Sequence, residues 1–152
     1  MTNQEISKIL FELSELYGMN EVPFKPRAFE RASGSIASLE EDLRDLYKKG
    51  GLRALEDIPG VGRGIAERIE EYLKTGRIAE YENLKKKFPV EIAQLSSIEG
   101  VGPKLIKLLY SKLGVKNISD LEKAAKQGKL RQLPRMGEKL EAKIMKGIEF
   151  KK

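Results

Sequence analysis

Leu55-Glu56-Asp57-Ile58-Pro59-Gly60-Val61-Gly62-Arg63-Gly64-Ile65 returns forty residues later as Leu95-Ser96-Ser97-Ile98-Glu99-Gly100-Val101-Gly102-Pro103-Lys104-Leu105. Leu55, Ile58, Val61, Ile65 and Ile69 align with Leu95, Ile98, Val101, Leu105 and Leu109, and both glycines of each Gly-Val-Gly stay in register. An internal repeat of this length marks a recurring supersecondary unit. A weaker third copy lies thirty-five residues on, where Leu130, Leu133, Met136, Gly137, Leu140 and Ile144 take the corresponding places and Arg135 replaces the first glycine. That copy is expected to keep the packing positions and to lose the backbone-exposed turn.

Apolar residues three and four apart on either side of each Gly-Val-Gly predict two helices joined by a tight hairpin. The glycines permit backbone angles or close approaches that a side chain forbids, while the valine anchors the turn in a core. The helix after the second glycine opens with amides that lack internal partners, backed by the positive end of its dipole. Such an end is suited to a phosphate. Arg63 and Gly64 after the first turn, and Pro103, Lys104 and Lys107 after the second, complete the candidate surface. None of these residues implies reading of base edges, so the expected partner is DNA held by its backbone, insensitive to sequence and weakened by salt.

Working outward, Ile6, Ile9, Leu10, Leu13, Leu16 and Tyr17 fall on one helical face, with a Thr2–Glu5 capping box and Gly18 as a stop. A second helix is predicted from about Arg27 to Ala37, facing Ala28, Phe29, Ala32 and Ile36 inward. Ser38 and Glu41 would box a third helix that ends at Gly50-Gly51, and Gly76, Gly114 and Gly128 stand where helices should stop. No segment alternates as a half-buried strand must. The fold class is therefore all-α, with two small helical subdomains, each carrying a hairpin, plus a degenerate third hairpin.

The 40% hydrophobic content suffices for a core. Without cysteine or histidine there is no thiolate metal site, no usual zinc ligand and no imidazole base, which removes much enzyme chemistry. No apolar run is long enough for a membrane helix and no export signal opens the chain, so the cytoplasm is expected, on the nucleoid when bound to DNA. The net charge of +6 is uneven: residues 1–94 sum to −2 and residues 95–152 to +8. A polyanionic partner suits the C-terminal part, and the second hairpin is expected to contribute more affinity than the first.

With these residues in view, the chain resembles the N-terminal part of family X DNA polymerases, the group that includes DNA polymerase beta, in its bacterial and archaeal form. The residues that carry the resemblance are Pro23-Phe24-Lys25 with Arg27-Ala28-Phe29-Glu30-Arg31-Ala32, then Ile58-Pro59-Gly60-Val61-Gly62 with Ile65-Ala66 and Thr75-Gly76, then Gly100-Val101-Gly102-Pro103. It implies helix-hairpin-helix motifs in a lyase-type domain over residues 1–88 and in a neighbouring subdomain over residues 89–152. It also implies a monovalent cation, sodium or potassium, held by the carbonyls of Glu56, Ile58 and Val61 and of Ser96, Ile98 and Val101. No other cofactor is implied.

The departures from the family are equally specific. The lyase lysine matches Arg68, a guanidinium that stays protonated and cannot form a Schiff base. Arg68 either contacts a phosphate or, the favoured expectation, forms ion pairs on a solvated helix face with Glu71 or Glu67. Gly64 and Glu80 stand where the family has basic residues, and Phe29 where it has a tyrosine; of the 5′-phosphate contacts, Lys25 is retained. The family's carboxylate cluster for nucleotide transfer has no counterpart in these 152 residues, where Asp42, Asp45 and Asp57 read as surface charges and caps.

The expected function is thus a non-catalytic module for gapped, nicked or branched DNA in repair. Two alternatives stand beside it. One is an abasic-site lyase using Lys25, Lys74 or the run Lys85-Lys86-Lys87. The other is a protein-interaction scaffold for repair or replication proteins.

Overall fold

The computed structural model describes residues 2–151. Among them are nine α-helices, one 3-10 turn and no strand. The chain separates into two compact units, Met1–Lys87 and Phe88–Lys152.

In the first unit, α1 (Thr2–Met19) packs against α2 (Lys25–Ala37), α3 (Leu43–Glu56) against α4 (Arg63–Thr75), and α5 (Ala79–Lys87) returns onto α1. Ile6, Leu10 and Leu13 of α1 are wholly buried with Ala32 and Ile36 of α2. Burial of each such aliphatic side chain contributes about 1.5–3 kcal/mol. Gly76, at φ 80°, closes α4 in the left-handed conformation, as its position predicts.

Several local expectations give way here. Helix α1 runs through Gly18 to Met19. Thr2 lies inside the helix and its hydroxyl accepts from Arg44 Nε, while Glu5 accepts from the Tyr72 hydroxyl, so no Thr2–Glu5 box forms. Helix α2 starts at Lys25, two residues early, with Pro26 in its first turn. Ala28 is exposed because the buried face is set by Phe29, Ala32 and Ile36. Ser38 donates back to the Gly34 carbonyl at 3.1 Å and caps nothing ahead of it. Asp42 caps α3 instead, accepting from the Arg44 amide at 2.7 Å. At Gly51 (φ 65°, ψ −151°) the helix breaks and restarts, so the expected stop is a kink and the helical path continues to Glu56.

The second unit holds α6 (Ile92–Ser96), α7 (Pro103–Leu113), α8 (Ile118–Lys126), a 3-10 turn (Leu130–Gln132) and α9 (Glu138–Lys151). Asn117 caps α8 through the Asp120 amide at 2.8 Å. Leu95, Ile98, Ile106, Leu109, Leu121, Leu130, Ile144 and Ile148 form the core. Ile106 takes the deepest place behind the second turn, leaving Leu105 only half-buried. Gly147 lets α9 pass close to the second turn: a Cβ there would meet Ile98 Cγ2 at 2.9 Å.

Candidate nucleic-acid interface

The two Gly-Val-Gly turns have the same construction. Val61 N donates to the Ile58 carbonyl at 3.0 Å and Val101 N to the Ile98 carbonyl at 3.0 Å. Val61 and Val101 are buried at 4% and 5% exposure, which fixes each turn to its core. Gly60 and Gly100 lie at φ 82° and 91°, where a side chain is strained.

The second glycines differ in kind. Gly62 (φ −87°, ψ −178°) and Gly102 (φ −114°, ψ −178°) are extended, a conformation open to any residue. A Cβ added at either would meet no atom within 4 Å. Each is the N-cap of the following helix and supplies no side-chain cap. The first bonds within those helices are Ala66 N to Gly62 O and Ile106 N to Gly102 O, both 2.9 Å. The amides of Arg63, Gly64 and Ile65 therefore precede the helical ladder of α4. In α7 only Lys104 and Leu105 supply such amides, because Pro103 has no N–H.

Charge surrounds both turns, partly from residues the repeat does not indicate. A Cβ at Gly60 would meet the Arg31 side chain at 3.1 Å, so α2 sets a guanidinium stem against the first turn. At Gly100 the neighbours are Leu140 at 3.1 Å and Lys143 at 3.9 Å, both from α9. Lys143 also pairs with Glu99 at 3.3 Å. Spacing along the chain makes Lys143 look remote, and packing brings it to the turn. Arg63 pairs with Glu67 at 3.2 Å, while Lys104 and Lys107 carry no ion pair among the described residues.

The third copy keeps its turn, against expectation. Met136 N donates to the Leu133 carbonyl at 3.1 Å and Glu141 N to the Gly137 carbonyl at 3.1 Å, matching the other two. Arg135 occupies the left-handed region at φ 65°, the conformation taken by Gly60 and Gly100. Glu141, buried at 4% exposure, holds the entry to the turn by accepting from the Arg131 amide at 3.1 Å and from its guanidinium at 2.8 Å. Packing of Leu133, Met136 and Ile144 thus forces the backbone shape without the glycine.

Arg68 lies elsewhere than expected. Its partner is Glu80 on α5, reached through Nε at 2.8 Å and through a second guanidinium nitrogen, and not Glu67 or Glu71. The Tyr17 hydroxyl donates to the same carboxylate, and Arg68 Nη1 donates to the Gly64 carbonyl at 2.9 Å. The guanidinium lies 5.3 Å over the Phe29 ring, which packs 5.0 Å from Tyr17. Lys25 Nζ sits 4.9 Å over the other ring of that pair, Tyr17. Lys25 is therefore part of the Arg68–Glu80 cluster.

Burial pushes the Glu80 carboxyl up, but the hydrogen bonds from Tyr17 and Arg68, with the attraction of Arg68 and Lys25, outweigh it and hold the group below its ordinary value. Burial and the neighbouring Glu80 push the Tyr17 phenol well above its ordinary range. A depressed carboxyl contributes stability at neutral pH that is lost as the pH falls through its folded value. The melting temperature of the wild type should therefore drop more steeply than that of Glu80→Gln between about pH 5 and pH 3. Equal slopes in a thermal-melt series would remove Glu80 from the acid response.

Residues 1–78 match the family described as Helix-hairpin-helix domain, and residues 92–149 the one described as SAM-like Helix-hairpin-helix tandem. The chain belongs to the helix-hairpin-helix family. It is 34% identical over 151 residues to the DNA polymerase/3'-5' exonuclease PolX of Bacillus subtilis (strain 168), a match that covers 97% of this chain and 25% of that protein. It is 24% identical over 119 residues to DNA polymerase lambda of Rattus norvegicus, covering 78% of this chain and 19% of that protein. The chain thus spans a quarter or less of the length of these curated relatives. The resemblance to family X polymerases read from the motifs is shown by these matches.

Within the helix-hairpin-helix frame, the tandem in the second unit consists of the Gly100-Gly102 turn and the Arg135-Gly137 turn, since both lie inside residues 92–149. Holding a non-glycine residue in the left-handed region costs roughly 1–2 kcal/mol, against about 0.5–1 kcal/mol of extra backbone entropy that glycine loses on folding. Arg135→Gly should therefore stabilise the second unit by up to about 1 kcal/mol, read as a shift of the urea midpoint. A destabilised variant would mean that the arginine side chain makes a compensating contact.

The resemblance places a cation on main-chain carbonyls of both turns. Those of Ile58 and Ile98 each accept one amide, from Val61 and Val101, and retain a second lone pair.

No helix among the described residues is long and apolar enough to cross a membrane.

Proposed function

We propose that the chain grips the DNA sugar-phosphate backbone through the Gly60-Val61-Gly62 and Gly100-Val101-Gly102 turns, holding gapped, nicked or branched DNA in repair without catalysing nucleotide transfer or strand cleavage itself. The observation that carries this reading is the pair Gly62 and Gly102. Both are glycine, neither needs to be for its own conformation, and both leave open space before a helix N-terminus. The missing side chain is explained by something outside the chain that approaches the backbone, and an anion suits exposed amides.

Arg63 and Gly64 in the first turn, and Pro103, Lys104 and Lys107 in the second, lie on the surface this requires, with Arg31 and Lys143 beside them. The two relatives are named as DNA polymerases, which supports DNA as the polyanion. A sodium or potassium ion on the carbonyl sets of Glu56, Ile58 and Val61 and of Ser96, Ile98 and Val101 would add positive charge beneath the bound phosphates. The lyase alternative, which would use Lys25, Lys74 or the run Lys85-Lys86-Lys87, is disfavoured because Lys25 and Lys85 sit over the Tyr17 and Tyr81 rings and Lys74 pairs with Glu70 at 3.9 Å, while the family's own lysine position is Arg68.

Fluorescence anisotropy with a gapped duplex tests the reading. Binding through four phosphate contacts should weaken by about a hundredfold between 50 and 200 mM salt, from a slope of about 0.9 per contact. The same protein should give no borohydride-trapped adduct on an incised abasic site. Salt-independent or absent binding would sink the DNA proposal, and a trapped adduct would restore the lyase.

A further inference from the structure

Beside the second turn lies a groove of about 480 Å³ that the backbone-gripping turns do not use. It is lined by Ser97 and Glu99 from the turn side of the chain and by Lys143, Lys146, Gly147, Phe150 and Lys151 of α9. The volume falls within the range of small-ligand clefts. Phe150 is 90% exposed, far more than Met145 at 36%, the other exposed large apolar side chain of this unit. Three lysines line the groove with this ring, and the single carboxylate lining it, Glu99, is already paired with Lys143 at 3.3 Å.

A flat aromatic face inside a cationic rim has a definite complement. An apolar peptide would leave the ammonium groups without partners, and a bare phosphate would make no use of the ring. A nucleobase satisfies both, with its π-face on the phenyl ring and its flanking phosphates near lysines. A base inside an intact duplex has both faces stacked, so the ligand must be an unpaired one.

We propose that this groove takes an unpaired base from the single-stranded tract next to the strand held at Gly100–Gly102, with Phe150 as the stacking platform and Lys146 and Lys151 serving its phosphates. The inference rests on the DNA reading above and sharpens it from DNA in general to DNA with a single-stranded segment. Stacking on one aromatic side chain reads no sequence, so any of the four bases is accepted.

The test compares the affinity of the 152-residue chain for a duplex with a short single-stranded gap and for an intact duplex of equal length, in wild type, Phe150→Ala and Phe150→Tyr. Phe150 is exposed, so neither change should disturb folding. Phe150→Ala should weaken gapped-DNA binding by about tenfold, leave intact-duplex binding within about twofold, and Phe150→Tyr should restore the difference. A 2-aminopurine placed in the gap should be quenched by the wild type and by Phe150→Tyr, and not by Phe150→Ala.

Equal losses on both DNAs, or no loss on the gapped one, overturn the proposal. So does a wild-type dimer that Phe150→Ala dissolves with both affinities unchanged, since the ring would then belong to a contact between copies. Wild-type protein that binds neither DNA at low salt overturns the backbone-binding reading itself, an outcome distinct from normal binding without a Phe150 effect.

Discussion

Replacing Gly62 and Gly102 together with valine should reduce affinity for gapped DNA by about a hundredfold or more while the protein stays folded. Charge-assisted hydrogen bonds from backbone amides are each worth about 1.5–3 kcal/mol, so blocking one such bond per turn costs roughly tenfold to a hundredfold at each. The fold should be indifferent because the extended angles of both glycines suit valine and no atom lies within 4 Å of the added Cβ. Valine is a poorer N-cap than glycine, but it also restricts the unfolded chain, and these opposing terms are each about 1 kcal/mol or less. Anisotropy titration beside a thermal melt separates the outcomes. Unchanged affinity in a folded double variant would place the binding surface away from the turns. Gly60 and Gly100 are less useful for this purpose, since their positive φ strains any side chain placed there and mixes a stability loss into the binding result.

Gly147→Val carries the largest expected effect on stability. The added Cβ would fall 2.9 Å from Ile98 Cγ2. Ile98 is β-branched and only 2% exposed, so it cannot swing aside as the tip of a long side chain would. Overpacking of this kind costs about 1–3 kcal/mol, and the better helix propensity of valine recovers less than 1 kcal/mol. The second unit should lose about 2 kcal/mol, a drop of roughly 8–16 °C in melting temperature for a unit of this size. An unaltered melt would show that α9 can lift away from the Gly100 turn without penalty. DNA affinity should fall with stability, because Lys143 and Phe150 reach their positions on the same helix.

How far the sequence could be read depended on how local each determinant was. The turns were legible because their requirements lie within a few residues: an apolar anchor at Val61 or Val101 and a glycine at positive φ before it. The left-handed helix ends at Gly76 and Gly114 were legible for the same reason. The cap of α3 is ambiguous in the sequence because Ser38 and Asp42 both have capping chemistry, and only the register of α3 against its neighbours selects Asp42. The Arg68–Glu80 pair spans twelve residues and needs α5 to fold back, so a rule confined to one helix face pointed to Glu67 and Glu71. Arg31 and Lys143 reach the turns only through the packing of α2 and α9, which no spacing within the repeat encodes. Arg135 shows the opposite case, where a missing glycine argues against a turn that three buried apolar residues still impose.

The division into Met1–Lys87 and Phe88–Lys152 gives each compact unit its own Gly-Val-Gly turn. Under the proposed DNA reading, the chain is bivalent for a backbone ligand. Once one unit is engaged, the other meets its phosphate as a tethered neighbour, at an effective concentration on the order of millimolar for a short link. Two individually weak grips then act as a length gauge. A duplex too short to reach both turns is held by one affinity alone, and one long enough for both gains a further factor with no new contact at either site.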